Sequence, residues 1–180
     1  DGLSNIEEFR INTHPKISDT DNDGLSDKWE FDNEYNPLDS NDGPSEDLDG
    51  DGITNIEEFK QNLNPLDNDS DDDSIPDGKE LLWGMNPLDP LDGEEDIDQD
   101  GLSNATEFLK GTNPKNLDTD GDGMNDGWEV RFLLNPLNSD DALGDINQDK
   151  LTNLEEFNLN LHPGFVHKGK LIAMKDHDHD

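Results

Sequence analysis

The sequence predicts a small, mainly irregular and α-helical protein, in which tandem units of an acidic loop plus a short helix form an elongated rod or solenoid. Three observations predict this class. An Asp-rich loop recurs seven times in 180 residues, each copy ends in a Glu, and an Asn-Pro or His-Pro pair follows six residues after that Glu. Because helices of about two turns are not stable alone, each unit has to bury its apolar face against a neighbour.

The repeated loop has the ligand spacing of a twelve-residue calcium loop. In its most regular copy, acidic side chains lie at positions 1, 3, 5, 9 and 12, and Gly123 lies at position 6. A hard cation takes six to eight oxygens, Gly at position 6 allows a sharp turn, position 7 offers its backbone carbonyl, and Glu at position 12 offers two oxygens. We therefore expect about six to seven bound Ca²⁺ ions.

We number the loops one to seven in chain order; loop one is a back half whose first positions precede residue 1. The predicted metal ligands are Asp1, Leu3, Asn5 and Glu8 in loop one; Asp19, Asp21, Asp23, Leu25, Asp27 and Glu30 in loop two; Asp47, Asp49, Asp51, Ile53, Asn55 and Glu58 in loop three; Asp69, Asp71, Asp73, Ile75, Asp77 and Glu80 in loop four; Asp96, Asp98, Asp100, Leu102, Asn104 and Glu107 in loop five; Asp118, Asp120, Asp122, Met124, Asp126 and Glu129 in loop six; and Asp145, Asn147, Asp149, Leu151, Asn153 and Glu156 in loop seven. Loop seven has Asn147 in place of a charged ligand, so we expect it to be the weakest complete site. Ser74 and Lys150 replace Gly at position 6 and must then adopt a positive φ.

The composition alone predicts disorder. The formal net charge is −35 and only 28% of the residues are hydrophobic, which is too little apolar surface to offset the chain entropy. However, 28 of the 47 Asp and Glu residues lie at ligand positions, and six Ca²⁺ ions would change the formal charge from −35 to −23. The sequence therefore predicts that folding and metal binding are one event, and that the chain is largely unfolded without calcium.

The composition also limits the location and the partners. The chain has no Cys, and small-cored extracellular proteins normally rely on disulfides or metal ions as cross-links. Calcium loops of low affinity fit the millimolar calcium outside cells, so we expect an extracellular or cell-surface location, in a microbe. No apolar run is long enough to span a membrane. Nucleic acid is not an expected partner, because phosphates are repelled by so acidic a chain.

The spacing of the closing Glu residues divides each repeat into two unlike halves. The intervals alternate between 22 and 27 or 28 residues, so the full period is about 49 residues. In the first half, position 8 is Ser or Thr, which predicts helix N-caps at Ser4, Thr54, Ser103 and Thr152. The residue before each Pro is pushed out of the α region, which predicts that each helix ends at the Asn-Pro or His-Pro pair.

The connectors between units alternate in length as well. Three residues separate Pro15, Pro65 and Pro114 from the next loop, whereas eight or nine residues follow the prolines of the other halves. The short connectors predict tight coupling of two loops. The long connectors are interpreted either as semi-flexible joints or as a source of further calcium ligands.

The pattern D-x-D-x-D-G-[LIM]-[ST]-[DN]-x-x-E, the loop-helix halves and the N-P-L-D connectors resemble bacterial thrombospondin type 3 repeats over residues 1 to about 163. The resemblance implies calcium-wrapped, rod-like segments of secreted and surface proteins, and it carries over positions 1, 3, 5, 7 and 12 as ligands. Paired EF-hands fit less well, because the segment before each loop is too short and too rich in Pro for a helix. Dockerin modules share the loop-helix half but normally occur as one pair.

Residues 164–180 depart from the repeat and are predicted to be a connector or strand with a His/Asp tail. Residues 165–174 alternate partly and carry a basic excess, which is typical either of a connector into a further repeat or of a β-strand that docks on a neighbouring subunit. The tail residues predicted as ligands, in the front half of a further calcium loop, are Asp176, Asp178 and Asp180. The alternative for this tract is a zinc or copper site.

Two functions agree with the array. The first is a calcium-rigidified spacer, stalk or filament subunit, whose partner is a further copy of itself in head-to-tail contact or the rest of a longer parent chain. The second is a calcium-dependent adhesin that presents Trp29, Trp83 and Trp128 to a surface glycan or protein, although each Trp is also explained as filling a small core. An enzyme is not expected, because nearly all acidic residues are assigned to ions and no nucleophile motif is present.

Overall fold

The computed structural model describes residues 2–165, and these divide into two compact units with the boundary between Asp92 and Gly93. The first unit holds loops one to four, and the second holds loops five to seven. Asp1 lies outside the described residues, as do the tail ligands Asp176, Asp178 and Asp180 and all of the predicted strand at 165–174 except Phe165.

A short α-helix follows every loop between residues 2 and 165, which confirms the predicted mainly irregular and helical repeats. The helices are α1 (Asn5–Ile11), α2 (Asp27–Asp32), α3 (Asn55–Gln61), α4 (Asp77–Trp83), α5 (Asn104–Lys110), α6 (Asp126–Arg131) and α7 (Asn153–Asn158). Single 3₁₀ turns at Asp92–Glu94 and Asp141–Leu143 lie in two of the long connectors. This part of the chain contains no β-strand.

The helices begin where the sequence predicts. Ser4, Thr54, Ser103 and Thr152 each precede a helix in an extended backbone conformation. In α1, α3 and α7 the cap residue and the residue three positions later bond each other in both directions. In α1 the Ser4 N–H donates to Glu7 Oε2 at 2.8 Å, and the Glu7 N–H donates to Ser4 Oγ at 3.4 Å. Such capping boxes satisfy backbone donors that the first turn leaves without intrahelical partners.

The helices end before the proline pair, so the expectation that the residue before Pro ends them is wrong. A residue with a left-handed backbone, φ between 56° and 81°, stands four positions after every closing Glu. The backbone N–H that follows it donates to the carbonyl of that Glu at 2.8–3.1 Å, as from Met85 to Glu80. These left-handed residues are Asn12, Glu34, Asn62, Gly84, Gly111, Leu133 and Asn160. The ending is of the Schellman type, and it satisfies carbonyls of the last turn locally.

The position-7 side chains of the second-half loops are the innermost apolar groups of the two units. Those with no exposed surface are Leu25, Ile75 and Met124. Gly24 and Gly123, which precede two of these residues, lie close to the next helix along the chain. A Cβ atom added to Gly24 would lie 3.1 Å from Ile56 Cδ1 in α3, and one added to Gly123 would lie 3.2 Å from Leu154 Cδ1 in α7. The loop therefore packs on the following helix through its sharpest turn.

Two tryptophans pack between consecutive halves of the repeat. Trp29 of α2 contacts Phe59 of α3 with ring centroids 6.0 Å apart and stacks on Tyr35 at 5.8 Å. Trp128 of α6 contacts Phe157 of α7 at 5.3 Å. Edge-to-face and offset contacts of this kind add to the free energy of burial. At these two positions the structure supports the interpretation of Trp as a packing residue.

Two glycines mark the closest approach of loops joined by a short connector. The Gly78 N–H donates to Asp51 Oδ2 at 2.8 Å, and the Gly127 N–H donates to Asp100 Oδ2 at 2.6 Å. A Cβ on Gly78 would lie 2.6 Å from the Asp51 carbonyl oxygen, and one on Gly127 would lie closer still to that of Asp100. The predicted coupling of loops across short connectors is present in both units.

We expect Gly78→Ala and Gly127→Ala each to lower the free energy of unfolding by roughly 1–3 kcal/mol, because a methyl group would push the two loop backbones apart. The matched control is Lys28→Ala at the same position of loop two, where an exposed ion pair to Asp32 at 2.7 Å is lost and the expected change is under about 1 kcal/mol. Urea denaturation in saturating calcium measures both. Equal midpoints for Gly127→Ala and Lys28→Ala would contradict the packing described above.

Candidate metal centres

Each loop folds around its own aspartates. In loop two the Gly24 N–H donates to Asp19 Oδ2 at 3.1 Å, the Asp23 N–H to Asp21 Oδ1 at 3.3 Å, and the Leu25 N–H to Asp23 Oδ1 at 2.8 Å. The same three bonds recur in loops three to seven, with Asn147 in place of Asp in loop seven. One oxygen of positions 3 and 5 therefore shapes the loop, and in loops three and five the second oxygen of position 5 accepts from the glycine N–H of the following loop.

Several carboxylate oxygens of loops two to six are buried without a hydrogen-bond partner. The Oδ2 atoms at position 3 that are buried without a partner belong to Asp21, Asp49, Asp71, Asp98 and Asp120. The closing residues with no exposed surface and no partner for either carboxylate oxygen are Glu30, Glu58, Glu80 and Glu129. In loop five, Glu107 Oε1 accepts from the Thr112 hydroxyl at 3.3 Å and Oε2 has no partner. Buried carboxylates need a counter-charge, which a bound cation supplies.

Carboxylates from positions 1, 3 and 5 lie close together in loops two to five. Each of these loops has a group of three aspartates in which one oxygen from every residue lies within 4.8 Å of the others. The groups are Asp19, Asp21 and Asp23; Asp47, Asp49 and Asp51; Asp69, Asp71 and Asp73; and Asp96, Asp98 and Asp100. A further group joins Asp73 to the closing Glu80 and to Asp92 of the following connector. Oxygen-only clusters of this density suit a hard divalent cation.

Burial raises the pKa of the closing glutamates in loops two to six. The causes are burial first and the charges of the neighbouring aspartates second. The raised pKa values are about 8 for Glu30, about 7 for Glu58, about 9 for Glu80, about 8 for Glu107 and about 8 for Glu129. At these pKa values, protons and a cation would compete for the same carboxylate oxygens near neutral pH.

We expect acid to act in opposite directions on the metal-free and the calcium-loaded protein. Because the folded pKa values of these glutamates lie above the unfolded value of 4.5, their contribution to the metal-free fold is fully present below about pH 4.5 and is lost as the pH rises through 7 to 9. Calcium competes with the same protons, so its affinity rises over that range. Circular dichroism in chelator and calcium titrations at several pH values measure the two trends. A calcium affinity that does not change with pH would contradict the assignment of these glutamates as ligands.

Position 9 of the second-half loops makes structural hydrogen bonds. Both carboxylate oxygens of Asp27 accept from Thr20, at 2.7 Å from the backbone N–H and at 2.8 Å from the hydroxyl. Asp77 pairs with Ser70 and Asp126 with Thr119 in the same way. Position 9 therefore links the start of the helix to position 2 of its own loop, and its role as a metal ligand stays a prediction.

Position 9 of the first-half loops contacts the preceding connector. Asn55 Nδ2 donates to the Gly43 carbonyl at 2.9 Å, and Asn153 Nδ2 donates to the Asp141 carbonyl at 2.8 Å. An amide can donate these bonds and a carboxylate cannot. The alternation of Asn and Asp at position 9 thus follows from two different partners.

Loop seven differs from the others inside its ligand cluster. Asn147 Nδ2 donates to Glu156 Oε1 at 2.8 Å and to the Phe165 carbonyl at 2.7 Å. An amide donor therefore occupies a closing oxygen that a cation would need, which supports the prediction that this site is the weakest complete one. The predicted positive φ is confirmed at both exceptions to Gly, with 83° at Ser74 and 82° at Lys150.

A left-handed residue at position 4 was not predicted. Its φ lies between 58° and 80° in every loop from two to seven. These residues are Asn22, Gly50, Asp72, Gln99, Gly121 and Gln148. Gly, Asn and Asp at four of the six positions are the signal that indicates it, because they adopt this conformation most readily.

Fold and site together define a class: a tandem-repeat protein whose acidic loops are shaped to hold metal ions. The family described as Bacterial TSP3 repeat matches residues 19–40, 47–68, 96–116 and 118–131. Four segments of the chain therefore match this repeat family, and the predicted resemblance is confirmed. TSP3 repeats are calcium-binding structural repeats and are typically extracellular. No curated protein and no solved structure matches the chain.

The matched segments follow the chemistry of position 6. They contain loops two, three, five and six, which have Gly at that position, whereas Ser74 and Lys150 occupy it in loops four and seven.

Within residues 2–165, every helix is too short and too polar to cross a lipid bilayer.

Proposed function

We propose that this chain is an extracellular, calcium-stabilised structural protein, a spacer, stalk or filament subunit of a microbial surface whose fold depends on bound Ca²⁺. The observation that carries the proposal is the complete burial of Glu30, Glu58, Glu80 and Glu129 with no partner for either oxygen. Once these carboxylates lose their protons they need a cation to neutralise them, so binding free energy becomes folding free energy.

Calcium fits these loops better than magnesium. Flexible loops with several carboxylates, a backbone carbonyl and a two-oxygen Glu suit the six to eight ligands of Ca²⁺, whereas Mg²⁺ requires a small octahedral shell and retains water. The six complete loops predict about six ions, and a completed loop one would add a seventh. A Mg²⁺ titration therefore serves as the matched control for every calcium experiment.

A structural role is favoured over a sensing role by the contacts between loops. Gly78 binds Asp51 and Gly127 binds Asp100 directly, so the ligand residue of one loop fixes the backbone of the next. Trp29 and Trp128 are engaged with Phe59 and Phe157. These two Trp side chains contact the next repeat half, which favours a role in packing between repeats over a role in binding a glycan.

Electron microscopy in calcium, in chelator and after calcium is restored tests the proposal. We expect extended particles or filaments in calcium that disappear in chelator and return with calcium but not with magnesium. Particles of the same shape and length in chelator would contradict the proposal. Monomeric particles that bind a glycan array only in calcium would identify the adhesin instead, and self-association would identify another copy of the chain as the partner.

A further inference from the structure

We propose that each long connector supplies one further carboxylate ligand to the ion site of the loop before it. The assigned residues are Asp42 for loop two, Asp92 for loop four and Asp141 for loop six. The inference rests on the proposed calcium-binding function and adds ligands from outside the twelve-residue loop. It divides the ion sites of the chain into two chemical classes.

The three connectors fold in the same way. Each assigned Asp stands six residues after the Asn of an Asn-Pro pair, and its Oδ2 accepts from the backbone N–H of that Asn. The distances are 3.0 Å from Asn36 to Asp42, 2.8 Å from Asn86 to Asp92 and 2.9 Å from Asn135 to Asp141. Two successive turns return the chain to the Asn of the pair. In the connector that follows loop four, the Asp89 N–H donates to the Asn86 carbonyl at 2.9 Å, and the Asp92 N–H donates to the Asp89 carbonyl at 3.1 Å.

Asp92 meets the ion site of loop four. Its carboxylate, that of Asp73 and that of Glu80 have oxygens within 4.8 Å of one another. Glu80 has no exposed surface, and neither of its oxygens has a hydrogen-bond partner. Two further carboxylates beside the buried Glu80 concentrate negative charge at this point, and a bound cation would neutralise all three groups, with Asp92 in its ligand shell.

Asp141 occupies the corresponding place beside loop six. Its Oδ1 is buried without a hydrogen-bond partner, while its Oδ2 is held by the Asn135 N–H. Its charge acts on Asp120, Asp122 and Glu129, all of which belong to loop six. The charge of Asp42 acts in the same way on Asp23 of loop two. The hydrogen-bonded turn that holds the Asp is therefore the same after each second-half loop, and the direct approach of its carboxylate to the ligands is seen after loop four.

The short connectors place a hydroxyl where the long ones place a carboxylate. Before loops two, four and six, the residue six positions after the Asn or His of the Asn-Pro or His-Pro pair is Thr20, Ser70 or Thr119. In loop six, Thr119 Oγ1 accepts from the Asn113 N–H at 3.0 Å and donates to Asp126 Oδ2 at 2.6 Å. Loops three and five therefore gain no connector carboxylate. Because calcium affinity increases with the number of charged ligands, loops two, four and six are the tighter class.

The test compares two triple variants of the full chain that remove the same charge from the same connectors. Asp42→Asn, Asp92→Asn and Asp141→Asn change the assigned ligands but keep an oxygen for the Asn N–H. Asp39→Asn, Glu94→Gln and Asp140→Asn are the matched control. We expect calcium titration calorimetry to show three of the six complete sites weakened by roughly tenfold or more in the first variant only, because each loses one charged ligand.

Equal calcium affinities in the two triple variants would overturn the inference while leaving the proposed function intact. A wild-type chain that binds no calcium would overturn both. Circular dichroism in saturating calcium checks that the variants fold. If the first triple variant does not fold, Asp92→Asn alone leaves the other loops unchanged, and one weakened site is expected against none for Glu94→Gln.

Discussion

Removal of calcium is expected to unfold the chain. In chelator, the helical circular dichroism signal should fall by more than about half and amide exchange should become fast throughout, and calcium should restore both. The seven helices between residues 2 and 165 have only six or seven residues each, which is below the length at which isolated helices are stable. Their buried apolar groups are few, and a formal charge of −35 opposes compaction.

A salt control separates ion coordination from charge screening. Sodium chloride at high concentration weakens repulsion between exposed charges but does not occupy the buried glutamates. We therefore expect it to restore little of the helical signal in chelator. A chain that retains its full helical signal in chelator would refute the dependence of the fold on calcium.

Substitution of the closing glutamate of a single loop is expected to weaken both calcium binding and the stability of the fold. Glu58→Gln should lower the calcium affinity of loop three by about 100-fold and the free energy of unfolding in calcium by about 2–4 kcal/mol. Glu58 has no exposed surface and no partner for either oxygen, so the neutral amide loses the charge that binds the ion and places a donor among the aspartates of the loop.

The neighbouring Glu57 offers a matched control in the same helix. Its carboxylate is exposed and accepts from the Thr54 N–H at 2.9 Å and from the Thr54 hydroxyl at 2.7 Å. Glu57→Gln removes the same charge but only weakens a helix cap, so we expect a loss of at most about 1 kcal/mol and no lost ion. Equal effects of the two substitutions, measured by calcium titration and urea denaturation, would exclude Glu58 as a ligand.

The loops were predictable because their ligand spacing is a local property of the sequence. Asp19, Asp21 and Asp23 converge because the alternating chain turns around its own side chains, and Gly24 and Ser74 take the positive φ that the turn requires. Helix starts were predictable for the same reason, since Ser4 caps residues only three positions away. Local hydrogen bonds are encoded within the window that a sequence pattern reads.

Other features depend on residues that are not good local signals or are far apart in sequence. Glu34 and Leu133 adopt a left-handed backbone that neither side chain favours, because the carbonyl of the closing Glu needs the following N–H. The bond from Gly78 to Asp51 joins residues 27 positions apart. The connector residue Asp92 lies outside the twelve-residue pattern, so its approach to Glu80 required the fold of the connector to be known.

If ions inside the loops hold the folded chain together, a fixed number of ions must be bound to each folded chain. Native mass spectrometry of the intact chain, taken from a calcium-containing volatile buffer, counts them. We predict about six calcium ions on the compact form and none on the unfolded form that chelator produces. A compact form that carries no calcium would contradict the claim.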